Sequence, residues 1–274
     1  MARRLTIIAR EAAIAALATA AGAWTAHRAG FALFAYIPNV AAIALGAAAL
    51  FWPAAITRIV RKYGVVAIAA LMMLTLFTKG MESVHRWIPL GPIRLNVSMA
   101  VAPAILFLIW DKPGRASWLL AVFTASIYVL QPDAGQAAAF AVPACLLISG
   151  SHPIKHAYRW AAVVAIAGLA AAAYFRPDPL APVPYVEQVF QLAFSGGLAS
   201  LFAVLVCAAG LCIPFGIDAP AERKTLAFAF LAYFICCFAV TELGNFPVPV
   251  LGAGAGPVLG WFFALVFLPA PARN

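Results

Sequence analysis

The chain is a succession of long apolar runs with little between them, and that pattern leaves few folds open. The runs cover approximately residues 10–27, 31–54, 63–79, 96–110, 116–131, 135–150, 158–175, 193–213, 225–243 and 255–270. A helix that crosses a bilayer needs roughly 20 mostly apolar residues, with a range of about 17–25. Ten such runs nearly exhaust the 274 residues. Residues 1–274 therefore read as a single transmembrane domain, with no room for a separate soluble unit. Hydrophobic residues make up 65% of the chain and charged ones only 10%, where a soluble domain carries about 25% charged residues. Lipid is the solvent that resolves this. The expected fold is an all-α integral membrane bundle of about ten helices. The fourth to sixth runs are short for a bilayer, and the fifth and sixth read alternatively as one broken hairpin around Gln131-Pro132-Asp133.

Loop charges orient the bundle. With the N-terminus inside, the cytoplasmic set is Arg3, Arg4, Arg10, Arg58, Arg61, Lys62, Lys112, Arg115, Lys155, Arg159, Arg223, Lys224 and Arg273. The outer set is only Arg28, Lys79, Arg86, Arg94 and Arg176. Basic loops resist translocation, so both ends are expected in the cytoplasm. The net charge of +9 does not point to nucleic acid, because the basic residues stand singly or in pairs between apolar runs. Cys145, Cys207, Cys212, Cys236 and Cys237 all lie in apolar stretches and form no metal-binding pair. His27, His85, His152 and His156 show no ligand spacing on one helix face. No metal site or cofactor is expected. The Ala-rich first run leads straight into further spans, unlike a cleaved signal peptide. No internal repeat stands out, which gives an inverted-repeat transporter little support.

The outer face carries the unusual residues. His85-Arg86-Trp87-Ile88-Pro89-Leu90-Gly91-Pro92-Ile93-Arg94-Leu95-Asn96-Val97-Ser98 sets two arginines around a Trp-containing turn. Guanidinium forks suit phosphate or carboxylate, and Trp suits the membrane interface. The segment reads either as a site for a lipid-linked phosphate or as an ordinary interfacial loop. Gln131-Pro132-Asp133-Ala134-Gly135-Gln136 places a carboxylate between two apolar runs, where an ionisable group is a functional candidate. Asp133 reads equally well as the N-cap of the following helix. Glu242-Leu243-Gly244-Asn245-Phe246-Pro247-Val248-Pro249 is followed by Gly252, Gly254 and Gly256, and Glu242 is expected to pair with Arg86 or Arg94. The proline-rich stretch from Arg176 to Gln188 holds two acids, Asp178 and Glu187. Irregular backbone at membrane depth is tolerated where it lines a watery cavity, so these segments are expected to converge on one outward cleft.

Three of these segments resemble the SEDS family, the RodA/FtsW/SpoVE polymerases of cell shape and division. Arg86 to Ser98 is similar to the family's R-W-I-x-L-G-P-x-x-x-Q-P-S-E. Gln131-Pro132-Asp133-Ala134-Gly135 is similar to Q-P-D-L-G-T, and Phe246 to Gly256 to L-P-L-P-F-I-S-Y-G-G-S. Order and predicted side agree across roughly residues 60–270. The resemblance implies a ten-helix bundle in the bacterial cytoplasmic membrane. It implies peptidoglycan polymerisation from lipid II, a polyprenyl-diphosphate-linked precursor, alongside a membrane-protein partner. By resemblance, Arg86 and Arg94 sit near the diphosphate and Asp133 lines the central cavity. The candidate lipid-phosphate-binding set is Arg86, Trp87, Arg94, Ser98, Asp133, Glu242 and Asn245, and a divalent cation is allowed for only if the protein is catalytic.

The departures are specific. The Ser-Glu pair becomes Ser98-Met99, and Gln136 replaces the Thr after Q-P-D-L-G. The loop after the seventh helix is shortened and lacks the family's P-E-x-H-T-D-F stretch with its proposed catalytic Asp. Only Glu187 and Asp178 remain as catalytic candidates. The chain is thus expected to be a divergent, shortened SEDS-like protein acting as a non-catalytic scaffold or lipid-binding subunit. The alternatives are a lipid-II glycosyltransferase and, on the strength of Asp133 and Glu242, a small lipid or solute transporter.

Overall fold

The computed structural model describes residues 2–151 and 155–269, apart from the Arg3 side chain. His152, Arg273 and the end of the tenth run lie outside the described residues. Ten longer helices occupy the places of the ten apolar runs. They are α1 (Ala2–Arg28), α2 (Ile37–Ala49), α3 (Pro53–Phe77), α4 (Val97–Asp111), α5 (Arg115–Leu130), α6 (Ala134–Ser149), α7 (His156–Tyr174), α10 (Leu198–Gly216), α11 (Lys224–Thr241) and α12 (Ala255–Val266). Two short helices, α8 (Pro184–Glu187) and α9 (Val189–Ser195), lie between α7 and α10. Five of the ten, α1, α3, α7, α10 and α11, are long and apolar enough to cross a membrane unaided.

Several boundaries differ from the sequence expectation, each for a local reason. The third helix begins at Pro53, ten residues early, because proline is preorganised for the first helical position. Arg58, Arg61 and Lys62 are therefore helical rather than in a loop. The eighth run is broken at Gly196-Gly197, where Gly197 takes φ +102°, separating α9 from α10. The fifth and sixth runs form two helices packed on each other and joined by Gln131–Asp133.

Helix α4 is the centre of the bundle. Thirteen of its residues are buried, and it contacts α3, α5, α6, α11 and α12. A helix apolar all round belongs in such a place. Outside it, large side chains such as Phe34, Val66, Phe77, Phe202 and Leu198 stand 70–79% exposed. That is the surface of a protein solvated by lipid.

The Arg86 to Ser98 segment is a β-hairpin, not a featureless interfacial loop. Strand β1 (Trp87–Leu90) pairs antiparallel with β2 (Ile93–Asn96) in the register Trp87↔Asn96 and Leu90↔Ile93. Gly91 supplies φ +63° at the first turn position, which a two-residue hairpin turn requires. The hairpin feeds directly into α4, whose N-cap Asn96 accepts from Met99 N–H at 3.1 Å. The start of α12 lies on this junction. A Cβ on Gly256 would sit 3.0 Å from the Asn96 Cβ and closer still to its carbonyl.

The loop before α12 is clamped from the other side. Buried Asn39 donates to the carbonyls of Val250 (3.2 Å) and Gly252 (2.9 Å) and accepts from Gly254 N–H (2.7 Å). Thr19 also donates to Val250 O. Val250 itself is left-handed, at φ +64°. That conformation is costly for a β-branched residue and persists only where the surroundings over-determine it.

Candidate functional site

The loops at one end of the bundle enclose a cavity of 430 Å³, lined among others by Arg86, Asp133, Gly135, Tyr174, Arg176, Asp178, Asn245 and Phe246. Its residues come from the segment after α3, the α5–α6 turn, the loop after α7 and the segment between α11 and α12. Four distant stretches of sequence therefore meet here, as an outward cleft would require.

Arg86 organises the cleft. Only 4% of it is exposed. Its guanidinium donates to the Gln131 carbonyl (3.1 Å), to the Pro132 carbonyl and to Asp178 Oδ2 (2.7 Å). Asp133 Oδ2 lies 3.6 Å from Arg86 Nε. Asp133 is 3% exposed and caps α6 by accepting from Gln136 N–H at 3.1 Å. Its second oxygen faces the arginine, so the capping role and the cleft role coincide. Asp178 also accepts from Leu180 N–H, which folds the proline-rich loop over the cleft. One arginine thus ties three loops together. The buried charges are acceptable because they are paired and hydrogen-bonded.

A buried polar chain runs from the cleft into the bundle. Gln131 donates to Thr75 Oγ1 (2.6 Å) and accepts from Ser98 Oγ (3.2 Å). Gln136, fully buried, donates to the Tyr233 hydroxyl at 3.0 Å and lies 3.4 Å from the Tyr128 hydroxyl. Ser98 belongs to this chain and not to the cleft wall. Gln136 stood out in the sequence only as a departure from the family pattern, and Thr75 and Tyr233 did not stand out at all. Their signal was weak: hydroxyl and amide groups inside apolar runs at matching depth.

The other expected site residues lie elsewhere. Glu242 does not pair with Arg86 or Arg94. It is exposed on a separate groove and accepts from Gln191 at 3.1 Å, because the end of α11 turns its side chain toward α9. Arg94 is exposed on β2. Trp87 is half-buried, and its carbonyl accepts from Thr78 Oγ1 at 2.8 Å. Asn245 lines the cleft and donates to Leu180 O at 3.1 Å. Glu187 accepts from Val183 N–H at 2.9 Å, closing the turn of α8. Burial pushes its carboxyl above the usual carboxylate range, against the pull of that N–H and of Arg86. Among the described residues no three His, Cys, Asp or Glu side chains are grouped to hold a metal ion. Asp133 and Asp178, the nearest acids, are both turned on Arg86.

No protein-family model matches the chain, and no curated protein sequence does either. Solved structures do. The rod-shape-determining protein RodA of Thermus thermophilus aligns over 93% of both chains with 17% identity, at a TM-score of 0.67 for a point mutant and 0.63 for the unmutated protein. A chain from a peptidoglycan synthase complex that coordinates polymerization and crosslinking aligns over 93% of this chain and 95% of its own. Its TM-score is 0.56 and its identity 17%. The fold of this chain is that of RodA, the membrane bundle of the SEDS proteins.

Proposed function

We propose that this protein is a divergent, non-catalytic SEDS-like subunit of the bacterial cytoplasmic membrane, a scaffold on which another membrane protein of cell-envelope synthesis assembles. One observation carries the reading: each of the four candidate acids already has a partner within the fold. Asp133 caps α6 and faces Arg86, and Asp178 is bound by Arg86. Glu187 closes its own turn and Glu242 is turned to Gln191. A general base needs an acceptor free to take the proton of the attacking hydroxyl. Arg86 is similarly spent on two carbonyls and two carboxylates, leaving little of its fork for a diphosphate. The likeness to a chain of a peptidoglycan synthase complex supports the partner.

The test is purified protein with lipid II, under conditions in which a RodA protein makes glycan. No glycan product is expected, together with stoichiometric co-purification of a second membrane protein from mild detergent. Product formation that disappears in Asp133→Asn or Glu187→Gln would overturn the proposal. It would establish the competing reading, lipid-II glycosyltransfer, which the open cleft with Arg176 and Asn245 on its wall favours.

A further inference from the structure

A second constellation lies at the opposite end of the bundle. Helix α5 carries the cleft turn at its end and Arg115 at its start, about 24 Å away at 1.5 Å per residue. Between α5 and α7 a groove of 370 Å³ opens outward. Its floor is apolar, formed by residues such as Leu119, Val122 and Ala162. Exposed Arg115 and Tyr158 also line it, and the buried Trp118 forms part of its wall.

Three features of the groove fit an anion. Arg115 is exposed and meets no carboxylate among the described residues; it lies over the Tyr158 ring at 4.9 Å. Trp118 is only 3% exposed, and its indole N–H finds no acceptor among the described residues. A buried donor left unmade costs about 1–3 kcal/mol, so a ligand oxygen there would relieve a standing penalty. The 16-residue helix α5 starts at Arg115 behind Gly114, an N-cap that supplies no side-chain acceptor, and has no acid in its first turn, which leaves its N-terminal amides and dipole open to negative charge.

We infer that the α5–α7 groove is a binding site for an anionic phospholipid, with the phosphate at Arg115, the Trp118 N–H and the α5 N-terminus, and an acyl chain along the apolar floor. A free phosphate would need those three features alone. The continuous apolar trough, on a helix pair facing lipid, argues for the lipid. The basic residues crowding this end (Arg58, Arg61, Lys62, Lys112 and Lys155) are expected on the leaflet richest in anionic lipid. The inference rests on the membrane-embedded fold and not on the scaffold reading.

The experiment uses the purified full chain, delipidated in mild detergent. Dioctanoyl phosphatidylglycerol, dioctanoyl phosphatidylcholine and inorganic phosphate are titrated separately, and retention is read by native mass spectrometry. Phosphatidylglycerol is expected to bind more tightly than phosphatidylcholine. Arg115→Gln is expected to weaken it about fivefold, the effect of one basic residue at a membrane surface. Trp118→Phe is expected to weaken it as well. Arg115 is exposed and makes no hydrogen bond or ion pair among the described residues, only the contact with the Tyr158 ring, so its variant stays folded with at most a small fall in the lipid-free thermal midpoint and decides the matter even if Trp118→Phe unfolds. Equal binding of the two lipids, or phosphatidylglycerol binding unchanged by Arg115→Gln, would overturn the inference. Inorganic phosphate binding as tightly as the lipid would overturn the part played by the trough.

Discussion

Replacing Arg86 by methionine separates a structural staple from a ligand-binding arginine. Methionine keeps much of the side-chain volume and removes every donor. It leaves Asp133 buried beside an apolar group and strands the Gln131 and Pro132 carbonyls as well as Asp178. Removing one member of a buried ion pair costs about 3–5 kcal/mol. Each orphaned carbonyl adds about 1–3 kcal/mol if dry, and less here because the cleft is open at its mouth. A net loss of about 4 kcal/mol is the expectation. The assay is unfolding in mixed micelles followed by the fluorescence of the seven tryptophans. The double variant Arg86→Met with Asp133→Asn should recover about 1–2 kcal/mol, since the more deeply buried of the two stranded charges is gone. If the single variant loses less than about 1 kcal/mol and the double variant recovers nothing, the staple does not exist. Arg86 would then have to be held for a ligand, and the scaffold reading would lose its footing.

Asn39→Ala removes three hydrogen bonds to residues 250–254 and should cost about 2–4 kcal/mol, with faster proteolytic cutting of that loop as the local readout. Gly256→Ala drives a methyl into the Asn96 backbone and should destabilise by about 1–3 kcal/mol in the same unfolding assay. Glu187 sets a pH dependence. Its folded pKa is raised by burial, so its protonated form favours the fold; that contribution is complete below the ordinary carboxylate pKa and is lost as pH rises through the raised value. Glu187→Gln should therefore flatten the decline of the thermal midpoint over that interval, and an unchanged pH profile would show that Glu187 is solvated.

Much of the bundle could be read from the chain because lipid imposes a simple rule. Each spanning segment must satisfy its own backbone and expose apolar side chains, so helices such as α5 and α6 announce themselves as apolar runs bounded by Gly114-Arg115 and Gln131-Pro132-Asp133. The convergence of Arg86 and Asp133 was also readable, since both fall at loops of the same parity. The choice of partner was not. Glu242 and Asp178 both stand at the cleft end of the bundle, and only the packing of α9 against α11 decides that Asp178 meets Arg86 while Glu242 meets Gln191. The hairpin was missed although Gly91-Pro92 offers a two-residue turn between Leu90 and Ile93, because four-residue strands give almost no periodic signal. Asn39 carried no signal at all. It is a lone amide in an Ala-rich run, and its role exists only once the loop before α12 folds back over it.

The central helices are shorter than several of those around them. At 1.5 Å per residue α1 and α3 stand about 40 and 38 Å tall, while α4 and α12 at the centre reach only about 23 and 18 Å. The hydrocarbon slab they occupy is about 30 Å thick. Neither central helix is long enough to cross that slab alone, and each is preceded by non-helical chain: the β1–β2 hairpin before α4 and the largely buried stretch from Phe246 to Ala253 before α12. Backbone without helical hydrogen bonds is tolerable at such depth only where protein surrounds it. The collar of taller helices is therefore what lets the two shortest ones sit in the membrane, and loosening α1 or α3 would expose unpaired peptide groups to lipid before it exposed any side chain.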